Sequence, residues 1–550
     1  MMTLETVLRR PPQGDIAEHW TYADFAAATQ AWAHRLRARK VRSAALWFDD
    51  TARCASALAA TWLAGADVYL LPDVSPASRQ WAAQQGCIVF GDTDAADEGW
   101  RYRDADERAR SDLPDLGFPS DNRLFLKTSA SSGDAKTVCK TRAQMESEAA
   151  ALARLLPAHW RGATALGSVG TQHLYGLTFR IFAALACGWR IGRVRHPYPE
   201  DLFAASRHAP CVWVSSPALL HRAGGRRDWQ SLRRHLRGVV SAGGMLRPDV
   251  AAQLAARLGF YPHDVYGSTE TGVIAVRRQS GMHLLLPEVS AEIAADGTLS
   301  ADSPWSGGRQ HTADAAERHG RALLLHGRAD RIVKLADKRI ALTRIEQLLS
   351  AHPFVADAHC LPHPQHGRIA AWLALNDDGI AAWRNHGRRA MIDTLQRTLG
   401  ELKPLGAVPR HWRFTDRLPR NPQAKIRAAD AERAFTRPIT APQWHALPAD
   451  TPDESVFTAA VPLDLCWFGG HFARFPLVPG VVQLQWVLDL CCRGHVPAQI
   501  ENLKYQKFIR PHDTVRLYLR RDHAKNKLYF SLRLADGSVC SSGRFALPDA

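Results

Sequence analysis

The chain of 550 residues is first defined by what it lacks. No run approaches the ~18 apolar residues that a membrane-crossing helix needs, so no membrane span is expected. Its ten cysteines include no Cys-x-x-Cys pair, and no secretory pattern opens the sequence, which together point to a reducing, cytoplasmic setting. The spacing G-x-x-x-x-G-K-[ST] is absent, which excludes a Walker-type phosphate loop. There is no internal repeat and no low-complexity tract. Basic residues are scattered and no nucleic-acid-binding motif accompanies them, so DNA and RNA are not expected partners. What is present suits a globular protein of several domains, with 46% hydrophobic residues.

Two segments carry recognisable chemistry. Residues 128–136 read Thr-Ser-Ala-Ser-Ser-Gly-Asp-Ala-Lys, a hydroxyl-rich loop closed by a lysine. Small residues let backbone N–H groups approach phosphate oxygens, hydroxyls donate further hydrogen bonds, and the lysine supplies a point charge. Downstream, Tyr266-Gly267-Ser268-Thr269-Glu270 offers an aromatic face for a base, a hydroxyl for a phosphate and a carboxylate for Mg²⁺.

In this order the two segments resemble the adenylate-forming superfamily of acyl-CoA synthetases, aryl-acid ligases and luciferases. Further motifs agree over roughly residues 15–435. His173, in Gln-His-Leu-Tyr-Gly-Leu, matches the segment beside the acyl pocket. Ser241-Ala242-Gly243-Gly244 matches the small-residue turn under the nucleotide. Thr312-Ala313-Asp314 resembles the family's Thr-Gly-Asp. Gly327-Arg328-Ala329-Asp330 matches the hinge, and the segment from Leu418 to Arg427 resembles the late motif with the catalytic lysine. Ala130, Ala313, Asp337 and Ala424 stand where glycine is usual. Each loses backbone freedom, but none removes a charged group.

The resemblance implies ATP and Mg²⁺ as cofactors. Thr128, Ser129, Ser131, Ser132, Gly133 and Lys136 would embrace the β,γ-phosphates. Gly243, Gly267 and Thr269 would lie against the nucleotide, Tyr266 would stack on adenine, and Asp314 and Arg328 would fix the ribose. Glu270 would hold the metal, Lys425 would bridge the carboxylate and the α-phosphate, and His173 would sit by the acyl group. After acyl-AMP forms, the small subdomain would turn about Asp330 so that a thiol can attack.

Residues 453–550 form a different module. The stretch from Gly470 through His471 to Gly480 and Val481 looks like the 3-hydroxyacyl-carrier-protein dehydratases, which have the hotdog fold. There His471 would act on the substrate α-carbon beside an acyl tunnel lined by Phe472 and Val481. The N–H of Gly480, at the start of a central helix, would polarise the thioester carbonyl. The family's acid falls at Gln485, which cannot shuttle a proton; Asp489 lies one turn later on the same face and is the candidate substitute, the alternative being a module that only binds acyl thioesters or holds a dimer together. The helix is expected to bury Leu484, Val487, Leu488 and Cys491, with strands at Thr514–Leu519 and Lys527–Leu532.

The expected architecture is multidomain α/β and α+β. A large α/β adenylation subdomain spans 1–329, a small α+β lid spans 330–435, a proline-bearing linker spans 436–452 (Pro438, Pro442, Pro448, Pro452), and the hotdog spans 453–550. Thr21 to Asp24 reads as a capping box opening a helix. Ala44–Phe48 and Val68–Leu71 read as strands around a helix at Cys54–Leu63, and βαβ units with parallel pairing continue toward residue 290. His359, Cys360, His363 and His366 invite a zinc reading. Residues 353–375 instead resemble two strands and a turn, with Val355, Ala358 and Cys360 packing and the histidines in the loop.

The expected activity is ATP-dependent activation of an amine-free acid, with an aryl acid such as a hydroxybenzoate favoured. The acyl group would pass to a carrier protein or CoA supplied in trans, because no phosphopantetheine attachment motif is present. The charge, 70 basic against 54 acidic residues for a net +16, suits attraction to ATP, CoA or an acidic carrier. Such fusions resemble proteins of aryl polyene and xanthomonadin-type pigment clusters. A fatty acyl-CoA synthetase and a non-catalytic nucleotide-binding scaffold are the alternatives. A homodimer through the hotdog is expected.

Overall fold

The computed structural model describes residues 2–127, 136–223, 228–279, 281–335, 338–400, 402, 408–420, 426–449, 451–469, 474–491 and 499–546. It divides into two compact units, Met1–Ala329 and Asp330–Ala550.

In the first unit the helix Tyr22–Ala38 is capped by Thr21, whose hydroxyl accepts from the Asp24 N–H. The reciprocal half of the box differs: that hydroxyl donates to the Asp24 carboxylate at 2.7 Å. The strands Ser43–Trp47, Asp67–Leu70, Ile88–Gly91 and Arg123–Lys127 pair in parallel, and Thr137–Thr141 closes this sheet antiparallel to Arg123–Lys127. The helix Thr51–Leu63 is buried along nearly its whole length. Its alanines keep it thin enough to pack against strands of this sheet and of a second one.

That second sheet has 13 strands. Parallel pairing runs from Asp15–Ala17 through Arg190–Arg195, Thr164–Gly167, Cys211–Ser215 and Leu236–Ser241 to His263–Ser268. The expectation that parallel βαβ units continue toward 290 fails beyond Ser268. Gly272–Arg277 turns straight back antiparallel to His263–Ser268, and the remaining strands continue antiparallel. The connection Thr269–Thr271 is far too short to hold a crossover helix.

In the second unit, Val355–Pro362, Ile369–Leu375 and His411–Thr415 form a three-stranded sheet, joined by the helices Leu342–Ser350 and Asp377–Thr398. Val355, Ala358 and Cys360 are buried as expected. His359 is on the strand rather than in the loop, with Nδ1 3.3 Å from Glu346. His363 is buried against the rings of His366 and His411, and the described residues contain no cluster of three or more His, Cys, Asp or Glu side chains placed to hold a metal.

The C-terminal module is a six-stranded antiparallel sheet in the order His445–Leu447, Glu454–Ala460, Thr514–Asp522, Lys527–Leu534, Val539–Ala546, Gln499–Tyr505. In the third of these strands Val515, Leu517 and Leu519 alternate inward. The helix Gly480–Cys491 packs on the sheet, but with a shifted face. Val482, Gln483, Trp486 and Val487 are buried, while Leu484, Leu488 and Cys491 are only partly covered.

The segment expected to be a linker is structured. Residues His445–Leu447 add a strand to the hotdog sheet, and the Thr440 carbonyl accepts from Trp467 and Trp486 at 3.0 and 3.1 Å. Pro448 directly follows this edge strand and Pro452 lies in the next turn, where no ladder N–H is required. The module also docks on the small subdomain. Leu463 enters the small subdomain's hydrophobic core, and Asp464, 4% exposed, accepts from Arg388, Arg413 and the Phe414 N–H. Arg384 donates to Asp513 and to the Pro511 carbonyl, both at 2.7 Å.

Candidate functional site

The reversal at Ser268 builds the core of the candidate nucleotide site. Tyr266 and Gly267 end one strand, and the Ser268–Thr271 turn is tied by two bonds: the Ser268 N–H donates to Thr271 Oγ1 at 2.9 Å and the Thr271 N–H to Ser268 Oγ at 3.2 Å. Thr269 and Glu270 ride on this turn, both half-buried. Among the described residues the Glu270 carboxylate has no hydrogen-bond or ion-pair partner. An oxygen donor left open in this way fits a hard divalent cation.

Asp314 and Arg328, far apart in sequence, are direct partners across an antiparallel pair. The Tyr266 hydroxyl donates to Asp314 Oδ2 at 2.7 Å, and the Asp314 N–H donates to Thr312 Oγ1 at 3.2 Å. Burial first, and then the neighbouring Asp314 charge, push the Tyr266 phenol well above its usual value, so it stays a donor. The residues expected to contact adenine and ribose are thus joined by a hydrogen bond. Gly243 has φ +84°, a conformation that side chains disfavour, at the end of the parallel strand Leu236–Ser241.

His173 is half-buried at the N-cap of the short helix Leu174–Leu177. That helix is pressed so closely on the preceding loop that a Cβ at Gly176 would lie 2.0 Å from the Gly170 carbonyl oxygen. Tyr175 donates to the carbonyls of Ser215 and Val240 at 2.9 and 3.0 Å, linking the His173 segment to the parallel strands. Lys136 is exposed at the foot of the strand Thr137–Thr141. Thr128, Ser129, Ser131, Ser132 and Gly133 lie outside the described residues, as does Lys425.

Arg331 and Arg420 hold the segments flanking Asp330 and Lys425. Arg331 donates to Glu346 and, at 3.0 Å, to the Cys360 carbonyl. Arg420 makes a bidentate pair with Asp357 at 2.5 and 2.8 Å. The sequence reading missed these anchors, although Arg420 stands inside the motif that carries Lys425.

In the hotdog, Gly480 opens the helix as expected, and His471 lies outside the described residues. A Cβ at Gly480 would meet the Tyr505 ring at 2.7 Å, so this glycine admits an aromatic side chain to the helix N-terminus. Gln485 and Asp489 share the exposed face, and Gln485 Nε2 donates to Asp489 Oδ1 at 2.7 Å. Val481, expected beside an acyl tunnel, is 73% exposed in the single chain.

Comparisons with known proteins agree with this two-part construction. A family described as AMP-binding enzyme matches residues 73–291, and one described as ApeI dehydratase matches residues 448–544. A 4-coumarate–CoA ligase of Rhodobacter capsulatus is 27% identical over 331 residues, 56% of this chain and 76% of the relative. An L-proline–[L-prolyl-carrier protein] ligase of Streptomyces coelicolor is 25% identical over 504 residues, covering 74% of this chain and 90% of the relative. The solved structure of a benzoate CoA ligase from Burkholderia xenovorans superposes with a TM-score of 0.65 at 18% identity, over 78% of this chain and all of that one. The long α/β unit, the antiparallel turn-back at Ser268 and the helix-backed terminal sheet therefore have one identity: the chain carries an AMP-binding domain of the adenylate-forming fold followed by an ApeI-like dehydratase domain with the hotdog fold.

Proposed function

We propose that this protein is an ATP- and Mg²⁺-dependent acid–thiol ligase. It would activate an amine-free carboxylic acid, with an aryl acid favoured, as acyl-AMP and pass it to a thiol. The observation that carries this reading is the triad of Tyr266, Asp314 and Arg328 beside the Glu270 turn. It offers an aromatic ring, a carboxylate accepting hydrogen bonds and a cation at one end of the sheet, a set suited to an adenosine with its phosphates toward Glu270. Mg²⁺ held by Glu270 would neutralise phosphate charge as pyrophosphate leaves. Phosphoryl-type displacement depends on positioning and charge more than on covalent help, and Lys425 would supply the cation at the attacking carboxylate.

The curated relatives support both kinds of acceptor, since one is a CoA ligase and the other loads a carrier protein. The basic charge and the fused ApeI-like domain favour an acidic carrier protein in the cytoplasm, in the manner of aryl polyene assembly. The hotdog would then bind or dehydrate acyl thioesters. We further propose that it forms a homodimer. Its strand Gln499–Tyr505, paired on one side with Val539–Ala546, is an open edge among the described residues, and Val481, Tyr505 and Phe508 are exposed.

ATP–pyrophosphate exchange with a panel of aryl and fatty acids tests the reading. Exchange with an aryl acid is expected. Exchange with fatty acids alone supports a fatty acyl ligase, and no exchange with any acid leaves the scaffold. Sedimentation should find a dimer for the full chain; a monomer at all accessible concentrations would remove the assembly part.

A further inference from the structure

Lys140 is 2% exposed, an unusual burial for a lysine, and its environment is built for it. It lies on Thr137–Thr141, the strand that leaves the segment 128–136. Its Nζ donates to the Glu270 carbonyl at 2.8 Å and to the Trp305 carbonyl at 2.7 Å. Glu148, also 2% exposed, is the buried countercharge. Its Oε1 accepts the Val273 N–H at 2.6 Å and its Oε2 accepts the Thr178 hydroxyl at 3.1 Å. Thr178 caps the C-terminal end of the short helix that follows His173. Gly272 completes the node: a Cβ there would lie 2.5 Å from Trp305 Cδ1 and 2.7 Å from Glu148 Oε1.

An uncompensated buried ammonium costs several kcal/mol, and a buried carboxylate a comparable amount. A hydrophobic pair would pack here without that cost, so the charges are retained for what they touch. Lys140 takes hold of the backbone carbonyl of Glu270 itself, and Glu148 takes hold of the backbone three residues later. We propose that Lys140 and Glu148 are positioning residues for adenylation, locking the Glu270 turn in register with the strand that leaves the phosphate loop and with the His173 helix. They touch neither substrate nor metal. Their effect is to hold the Glu270 turn at a constant offset from the strand Thr137–Thr141. The inference rests on the ligase reading above for its functional consequence, but not for the geometry.

The test compares wild type, Lys140→Met, which keeps chain length and removes charge, and Glu148→Gln, which keeps shape. For Lys140→Met the KM for MgATP should rise by about tenfold or more, because small misplacements of reacting groups are costly. The KM for the acid should hold, while the melting temperature should fall, since Glu148 is left buried without its countercharge and two carbonyls lose their donor. Hydrogen exchange of residues 266–273 should quicken. Glu148→Gln should shift both readouts in the same direction by less. KM values for ATP and acid rising together would show a merely structural pair and overturn the proposal, as would no change in either the KM for MgATP or the exchange of residues 266–273. If wild type exchanges pyrophosphate with no acid, the ligase reading falls and hydrogen exchange alone decides: unaltered protection of 266–273 in Lys140→Met overturns the positioning role. If Lys140→Met does not fold, the same measurement on Glu148→Gln decides.

Discussion

The two candidate sites of this chain are held in opposite ways. At the nucleotide site the framework is tied from behind: Tyr266 to Asp314, Asp314 to the Thr312 hydroxyl, the Glu270 carbonyl to buried Lys140. At the hotdog site Gln485 and Asp489 are exposed and, among the described residues, bond only to each other, around a helix start whose neighbouring Val481 faces solvent. A site anchored by its own core can be complete in one chain. A site whose residues project outward is the kind that a second surface completes. The comparison teaches that adenylation should survive isolation of the ligase region, whereas hotdog chemistry should depend on assembly.

Four measurements break or sharpen that contrast. The largest effect is expected at Lys425. Lys425→Ala should slow acyl-AMP formation by about 10²-fold or more with ATP still bound, because a charge contact made at the transition state is lost. Unchanged pyrophosphate exchange in that variant would refute the assignment.

Next comes the joint between the small subdomain and the hotdog. Asp464→Ala leaves Arg388 and Arg413 without their carboxylate and orphans the Phe414 N–H, and should cost about 3 kcal/mol. Denaturant unfolding of the full chain should show the second unit splitting into two transitions. A single unshifted transition would mean that Leu463 packing and the Arg384 bonds to Asp513 and Pro511 suffice to hold the joint.

The first unit should respond to acid through His263, which packs against Trp160 with neither ring nitrogen bonded among the described residues. Burial above all, with the charges of Arg278 and His159 adding to it, lowers its pKa from 6.5 to about 4. The unfolded chain therefore binds the extra proton first, and stability falls as pH drops from the unfolded pKa toward the folded one, by about 2 kcal/mol at pH ~5. Above the unfolded pKa the group contributes no pH dependence. His263→Leu should flatten this part of the profile, and an equally steep profile in the variant would assign the slope elsewhere.

The smallest effect is expected at Gln485. If the hotdog is catalytic, Gln485→Glu should raise dehydration of a 3-hydroxyacyl carrier by a few-fold to about tenfold, since a proton shuttle is restored. Rapid dehydration by the natural sequence that is lost in Asp489→Asn would show that the acid has moved one helical turn.

Much of this was legible from sequence for reasons that can be stated. Strands such as Thr514–Asp522 follow alternation, helices such as Thr51–Leu63 follow apolar content, and Gly480 marks a helix start, because these depend on neighbours a few residues away. The misses share a cause. The linker reading failed because Ile439 and Trp444 find their partners only on the hotdog core. The helix face was misjudged because Trp486 and Gln483 turn toward the sheet while Leu484 lies at its rim. Lys140 did carry a signal, since it shares the inward phase of its strand with Val138, but a lysine at such a position is ordinarily read as solvated.

The sequence by itself determined the order of domains, the identity of the chemical groups and the motifs that name the fold, because these are properties of residue type and spacing along one chain. The tertiary structure alone decided that Asp314 faces Arg328 across a strand pair, that Thr440 is held by two tryptophans, and that a buried lysine grips the carbonyl of Glu270. The physical reason is that such contacts join segments 14 to 130 residues apart. Their energy comes from desolvation and hydrogen-bond pairing that exist only once the chain has closed.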